Sequence, residues 1–171
     1  LGVSFKGTLN QVQERAVKAM CGHDIGILSA ATAFGKTVVG ARIIAKRGVS
    51  TLVLVHRRQL LDQWRERLTT FLERIQDGES KGEQVAVGEI GGGRNRPTGL
   101  LDVALLQSIG RAGEVDELVN GYGQIIVDEC HHLSAFTFEQ VLRKAKARFV
   151  LGLTATPYRK DGHHPIIIIM Q

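Results

Sequence analysis

The chain holds 171 residues, 43% hydrophobic and 23% charged, which is enough apolar surface for one real core and argues against a disordered, collagenous or disulfide-stapled chain. A net charge of +5 with a pI near 9.5 fits a polyanionic partner and equally a surplus kept for solubility. The longest aliphatic run, Ile166 to Met170, is five residues against the roughly 20 that cross a bilayer.

No charged-then-apolar leader opens the chain, and Cys21 and Cys130 form no CxxC pair. A soluble, unexported protein of the reducing cytoplasm is therefore expected, with no membrane partner. The basic excess lies in residues 1–85. The chain begins at Leu1 and stops in a strand-like isoleucine run, as a piece of a larger protein would.

In chain order, periodicity predicts a helix near 10–20, a strand at 25–29, a helix at 36–46 and a strand at 51–55. A long helix follows over 57–75, with Leu60, Leu61, Trp64, Leu68, Phe71, Leu72 and Ile75 on one stripe. Trp64 in that stripe reads as core rather than as a base-stacking platform. Further strands are expected at 84–90, 102–106, 124–127 and 148–153, and further helices at 108–119 and 135–146. Residues 77–81 and 91–99 look most loop-like. Six strands alternating with helices predict one α/β domain, a mostly parallel sheet covered on both faces.

The sharpest chemical feature is Ala30-Ala31-Thr32-Ala33-Phe34-Gly35-Lys36-Thr37, which follows one predicted strand and opens a helix. In such a turn the backbone N–H groups of residues 31–35 and the helix N-terminus hold phosphates. The Lys36 ammonium reaches the outer phosphates, and the Thr37 hydroxyl ligates Mg²⁺. The second feature is Ile125-Ile126-Val127-Asp128-Glu129-Cys130-His131, an apolar strand ending in two carboxylates. Ligands of an open α/β sheet sit at strand carboxyl ends, so the two motifs meet at one site. Asp128 is then placed to hold hydrated Mg²⁺, and Glu129 to orient or deprotonate an attacking water. A third feature, Leu153-Thr154-Ala155-Thr156-Pro157, puts small hydroxyl residues at another strand end.

Together with Thr51-Leu-Val-Leu-Val-His-Arg-Arg-Gln-Leu-Leu-Asp-Gln-Trp64, these motifs in this order resemble the first RecA-like lobe of superfamily 2 helicases and translocases. The flavour is similar to the branch of type III restriction motor subunits and related repair helicases. The resemblance runs from about Leu9 to Arg159. It implies a RecA-like P-loop NTPase lobe that takes ATP and Mg²⁺. It places Gln13 where the family contacts adenine, with Asn10, Gln11 and Val12 departing from the usual Arg-Pro-Tyr. Lys36, Asp128, Glu129 and His131 match the catalytic set, and Ala31, Thr32, Ala33, Phe34, Gly35, Lys36 and Thr37 the nucleotide loop. Ala33 stands where many members have Gly, a less permissive residue. Thr154 and Thr156 match the motif that couples hydrolysis to movement.

By the same resemblance His56, Arg57 and Arg58, then Gly92 and Gly93, then Gln107 and Ser108 would grip the DNA or RNA backbone without reading sequence. Arg57 or Arg58 could instead cap or solvate the long helix. Family members bind ATP between two such lobes, the second supplying an arginine worth ~10³–10⁵ in rate. This stretch alone is thus expected to bind ATP·Mg²⁺ weakly and turn over negligibly. Two classes stay open: a nucleic-acid-dependent ATPase motor, and a nucleotide-binding switch or scaffold without turnover. Neither His131-His132 nor His163-His164 has metal-ligand spacing, and the basic positions Arg143, Lys144, Lys146 and Arg148 fit a solvated face or a nucleic-acid patch.

Overall fold

The computed structural model describes residues 1–109, 119–130, 146–155 and 166–169. In chain order the elements are β1 (Val3–Phe5), α1 (Gln11–Cys21), β2 (Ile25–Ser29), a 3₁₀ turn (Thr32–Phe34), α2 (Lys36–Arg47), β3 (Thr51–Val55) and α3 (Arg58–Phe71). They continue with β4 (Leu72–Gln76), β5 (Glu79–Gln84), β6 (Gly88–Gly91), β7 (Arg94–Arg96), β8 (Leu101–Leu105), α4 (Leu106–Ile109), β9 (Gln124–Val127), β10 (Phe149–Thr154) and β11 (Ile166–Ile169). The helices expected at 108–119 and 135–146 fall mostly outside the described residues.

Eight strands form one sheet in the order β11-β2-β10-β9-β3-β8-β6-β7. The six central strands are all parallel to their neighbours, while β11 and β7 close the two edges antiparallel. Five of the six expected strands are β2, β3, β8, β9 and β10, and the one expected at 84–90 matches β6 only in part. The parallel strands are apolar along their whole length because both faces are covered: β3 and β8 are buried at every position. One face packs Val53, Val55, Val103, Ile126 and Leu151 against α1, α2 and α3, and the opposite face packs Leu52, Leu54, Ala104, Ile125 and Val127 against Val119 and Tyr122.

Three expectations need correction, the first being that the segments expected to be most loop-like, 77–81 and 91–99, carry the start of β5 and the whole of β7. The helix predicted over 57–75 ends at Phe71, and Leu72–Gln76 is a strand in a small sheet ordered β1-β4-β5. Two constraints stop the helix: β1 supplies an antiparallel partner, with Phe5 stacked on Phe71 at 6.0 Å, and Asp77-Gly78, both at positive φ, turn the chain back as a hairpin. The strand predicted at 84–90 is not continuous: Gln84 ends β5 of the small sheet, and β6 of the large sheet starts only at Gly88. Gly88 opens β6 because a Cβ there would collide with the Asp102 carboxylate.

Asp102 itself organises the amino end of the sheet. It is fully buried and accepts hydrogen bonds from Thr98 N (2.7 Å), Thr98 Oγ1 (2.8 Å), Gly99 N (2.8 Å) and the Tyr122 hydroxyl. Burial first, and then this hydrogen bond, push the Tyr122 phenol above its ordinary range. Among the described residues no helix is long and apolar enough to cross a membrane. Asp102→Ala orphans several buried donors, each worth 1–3 kcal/mol when unsatisfied, and is expected to lower stability by about 3 kcal/mol in urea unfolding. Tyr122→Phe removes one donor only and is expected to cost about 1 kcal/mol.

Candidate nucleotide and nucleic-acid site

The phosphate-loop motif sits where the sheet topology predicts. Ala30 leaves β2, its N–H donating to Thr154 O of β10 (3.1 Å), and residues 32–34 coil into the 3₁₀ turn. Gly35 at φ 82 reverses the chain into α2, a left-handed conformation suited to glycine. Ala33 needs no glycine, for the only non-glycine residues at positive φ among the described residues are Asp77 and Glu129. Lys36 is only 7% exposed, and its ammonium donates to the Ala30 (3.0 Å) and Ala31 (3.3 Å) carbonyls. Thr37 follows in the first turn of α2, half-buried.

Gln13 touches this loop from α1. Its Oε1 accepts the Asn10 N–H (3.0 Å) in a capping box, and its Nε2 donates to Phe34 O (2.8 Å). The side chain therefore fastens α1 to the loop, and a Cβ at Gly35 would lie 2.9 Å from Nε2.

At the end of β9, one strand beyond β10, stands Asp128, exposed to only 6%. Its Oδ1 accepts the Glu129 N–H (2.9 Å) and its Oδ2 the indole N–H of Trp64 (2.7 Å). Burial raises its pKa, and the Trp64 and Glu129 hydrogen bonds oppose that rise. Glu129 at φ 51 breaks the strand's alternation with a left-handed residue, a conformation that costs about 1–3 kcal/mol outside glycine and collects at working sites. Cys130 is no candidate nucleophile: burial pushes its thiol up to about 11, and it shares a hydrogen bond with Thr154. Thr154 Oγ1 donates to Ala155 O (3.2 Å). The structure thus brings the loop, Asp128, Glu129 and Thr154 onto one edge. His131 and Thr156 lie outside the described residues, as do His132, His163, His164, Arg143 and Lys144.

The residues implied for the nucleic-acid backbone occupy the other half of the same carboxyl edge, at the ends of β3, β6 and β8. Arg57 caps α3 by position without a side-chain cap bond, is exposed, and makes no ion pair among the described residues. Arg58 is tied down, with Nη1 2.6 Å from Glu89 Oε1 and Nε 3.4 Å from Asp62 Oδ1. Gly92 (φ 63) lies against it, a Cβ there falling 2.6 Å from Arg58 Nη1, while Gly93 (φ 84) faces open space. The neighbouring Gly91 lies against the Ser108 hydroxyl, and Gln107 and Ser108 are exposed on α4. His56 is half-buried.

Two residues of this edge escaped sequence reasoning. Glu89, 5% exposed, also meets Arg65 (2.8 Å) and Arg94 (3.9 Å), and with Arg65, Val87, Arg94 and Arg96 it lines a basic cavity of about 360 Å³. Trp64 was read as core, and it is, but its N–H has a carboxylate partner. The available signal was chemical: a buried indole N–H seeks an acceptor.

Residues 6–159 match the family described as Type III restriction enzyme, res subunit. The chain is 33% identical over 98% of its length to the DNA 3'-5' translocase XPB2 of Sulfurisphaera tokodaii, covering 35% of that protein. It is 32% identical over 90% of its length to the DNA 3'-5' helicase XPB of Mycobacterium tuberculosis, covering 27% of it. Among solved structures, the UvsW helicase of bacteriophage T4 superposes with a TM-score of 0.64 at 16% identity, over 90% of this chain and 56% of that one. The Sulfolobus solfataricus SWI2/SNF2 ATPase core, solved with dsDNA, superposes with a TM-score of 0.65 at 15% identity, over 90% and 33%. These likenesses establish the RecA-like fold, and the chain spans only about a quarter to a third of the length of the two curated relatives.

The raised pKa of Asp128 fixes the sign of a stability test. A carboxyl whose folded pKa lies above its unfolded value favours folding while protonated and loses that contribution as pH rises through the folded pKa. Asp128→Asn keeps an acceptor for Trp64 and removes the buried charge. It is expected to raise the melting temperature at neutral pH, with the gain fading as pH falls through the raised folded pKa and gone below the usual carboxylate range.

Proposed function

For a chain that belongs to the family described as Type III restriction enzyme, res subunit, we propose the role of ATP·Mg²⁺-binding lobe in a nucleic-acid-dependent ATPase motor, a helicase or translocase on DNA or RNA. The observation that carries this reading is the side-by-side placement of the phosphate loop and the Asp128-Glu129 pair, at the ends of β2 and β9 with only β10 between them. The donor set suits Mg²⁺: one hydroxyl (Thr37) and one carboxylate (Asp128), with water and phosphate oxygens completing a hard octahedral shell. When bound, the ion neutralises charge on the phosphates.

The chain's own groups do the rest. Lys36 leaves the Ala30 and Ala31 carbonyls for the outer phosphates, and the amides at the start of α2 cradle them. Glu129 orients the attacking water and takes its proton. Gln13, held on Phe34 O, ties any movement at the adenine side to the loop. His131 and Thr156 complete the coupling set with Thr154. Arg57, Arg58, Gly92, Gly93, Gln107 and Ser108 hold the phosphodiester backbone without reading bases. A second RecA-like lobe in the parent protein supplies the arginine, and the setting is cytoplasmic. On this reading residues 1–171 are one lobe, with negligible turnover by themselves.

Steady-state ATP hydrolysis by the full-length protein, with and without single-stranded DNA, duplex DNA and RNA, tests the reading. One polymer is expected to stimulate turnover, and Lys36→Ala and Glu129→Gln are each expected to reduce it by about 10²–10⁴. Tight nucleotide binding with no turnover under any condition would replace the motor by a switch or scaffold.

A further inference from the structure

We propose that Trp64 is a positioning residue for Asp128, and that through its indole α3 acts on the magnesium side of the nucleotide site; the proposal rests on the nucleotide-site reading above. Trp64 is the only tryptophan in the 171 residues, lies in the middle of α3, and is fully buried. A core position there needs only apolar volume, which Leu or Phe would supply. Trp adds one group, the Nε1–H, and it donates to Asp128 Oδ2 at 2.7 Å. The opposite edge of the ring lies against α2, where a Cβ at Gly40 would stand 2.7 Å from Cη2 and 3.3 Å from Cζ3. Gly40 is one helical turn beyond Lys36 and Thr37. A single rigid side chain therefore bridges the helix that carries the phosphate lysine and the carboxylate assigned to the metal.

The two bonds to Asp128 divide the work. The Glu129 N–H holds Oδ1 from within the same turn, at 2.9 Å, so that bond moves with the loop itself. The Trp64 N–H holds Oδ2 from a different element. Each oxygen keeps a second lone pair for water or metal. An indole has only two side-chain torsions, and this one is wedged between Gly40 and the sheet, so a displacement of α3 carries the N–H with it. The first turn of α3 carries Arg57 and Arg58, the residues assigned to the nucleic-acid backbone. Occupancy at that end of the helix is thereby connected by covalent and packed structure to the orientation of Asp128. A Phe at this position would transmit packing but leave the carboxylate held only through Oδ1, by the Glu129 N–H.

The test uses full-length protein in which position 64 carries benzothienylalanine, which keeps the indole shape and replaces N–H by sulfur, alongside Trp64→Phe. A fluorescent ATP analogue reports affinity in EDTA and in Mg²⁺, and ATP hydrolysis is read with and without nucleic acid. The expected result is unchanged affinity in EDTA, with the gain in affinity on adding Mg²⁺ reduced about tenfold, on the order of one hydrogen bond to a charged group. Stimulation of kcat by nucleic acid is expected to fall by a similar factor, with KM for ATP in Mg²⁺ rising in step with the lost affinity. Wild-type behaviour of the benzothienylalanine protein would overturn the proposal and leave the nucleotide site standing. Equal loss of affinity with and without Mg²⁺ would also overturn it, marking Trp64 as packing alone. A wild-type protein whose nucleotide affinity ignores Mg²⁺ would overturn the nucleotide-site reading and this proposal with it.

Discussion

A carboxylate exposed to only 6% has to be met by donors, and much of the site follows from how Asp128 is met. An unpaired buried charge costs several kcal/mol and would simply protonate. Here two N–H groups supply the compensation, one from the following residue and one from a helix 64 residues earlier in the chain. The first requires the left-handed turn at Glu129, and the second requires α3 to lie flat against the sheet with Trp64 facing β9. Burial still raises the Asp128 pKa against the pull of these two bonds.

The carboxyl edge of the sheet has two halves. β2, β10 and β9 end in the phosphate loop, Thr154 and Asp128, and β3, β8 and β6 end in Arg57-Arg58, α4 and the glycine turn. The chain runs from β2 to β3 across the positions later filled by β10 and β9, and this reversal of strand order opens the crevice where open α/β sheets bind ligands. α3 joins the halves, since it starts in one and reaches Asp128 in the other. On the far half Glu89 draws Arg58 and Arg65 together, while Arg57 is exposed and makes no ion pair among the described residues.

How much of this was legible depends on the range of the interaction. Strands buried on both faces are continuous apolar runs bounded by turns, so β2, β3 and β9 were placed to the residue. The phosphate loop and the Asp128-Glu129 pair were readable because their chemistry is local and their meeting follows from a general rule of parallel sheets. The small β1-β4-β5 sheet was not: Leu72 and Ile75 satisfy a helical stripe as well as a strand, and what decides between them is pairing with Val3–Phe5, far away in sequence. Asp77-Gly78 was the local clue. The bond from Trp64 to Asp128 and the pairing of Arg58 with Glu89 connect residues 64 and 31 positions apart. No periodicity carries such a pairing, although a lone tryptophan in an apolar stripe shows that a donor needs a partner.

The most direct test of the account is a crystal structure of the full-length protein with Mg²⁺, ADP and a beryllium fluoride phosphate mimic. The account predicts Lys36 Nζ detached from the Ala30 and Ala31 carbonyls and bonded to the phosphate mimic, with Asp128 facing the hydrated metal while still accepting the Trp64 N–H. Nucleotide bound elsewhere, or Lys36 still seated on those carbonyls beside it, would contradict the account at its centre.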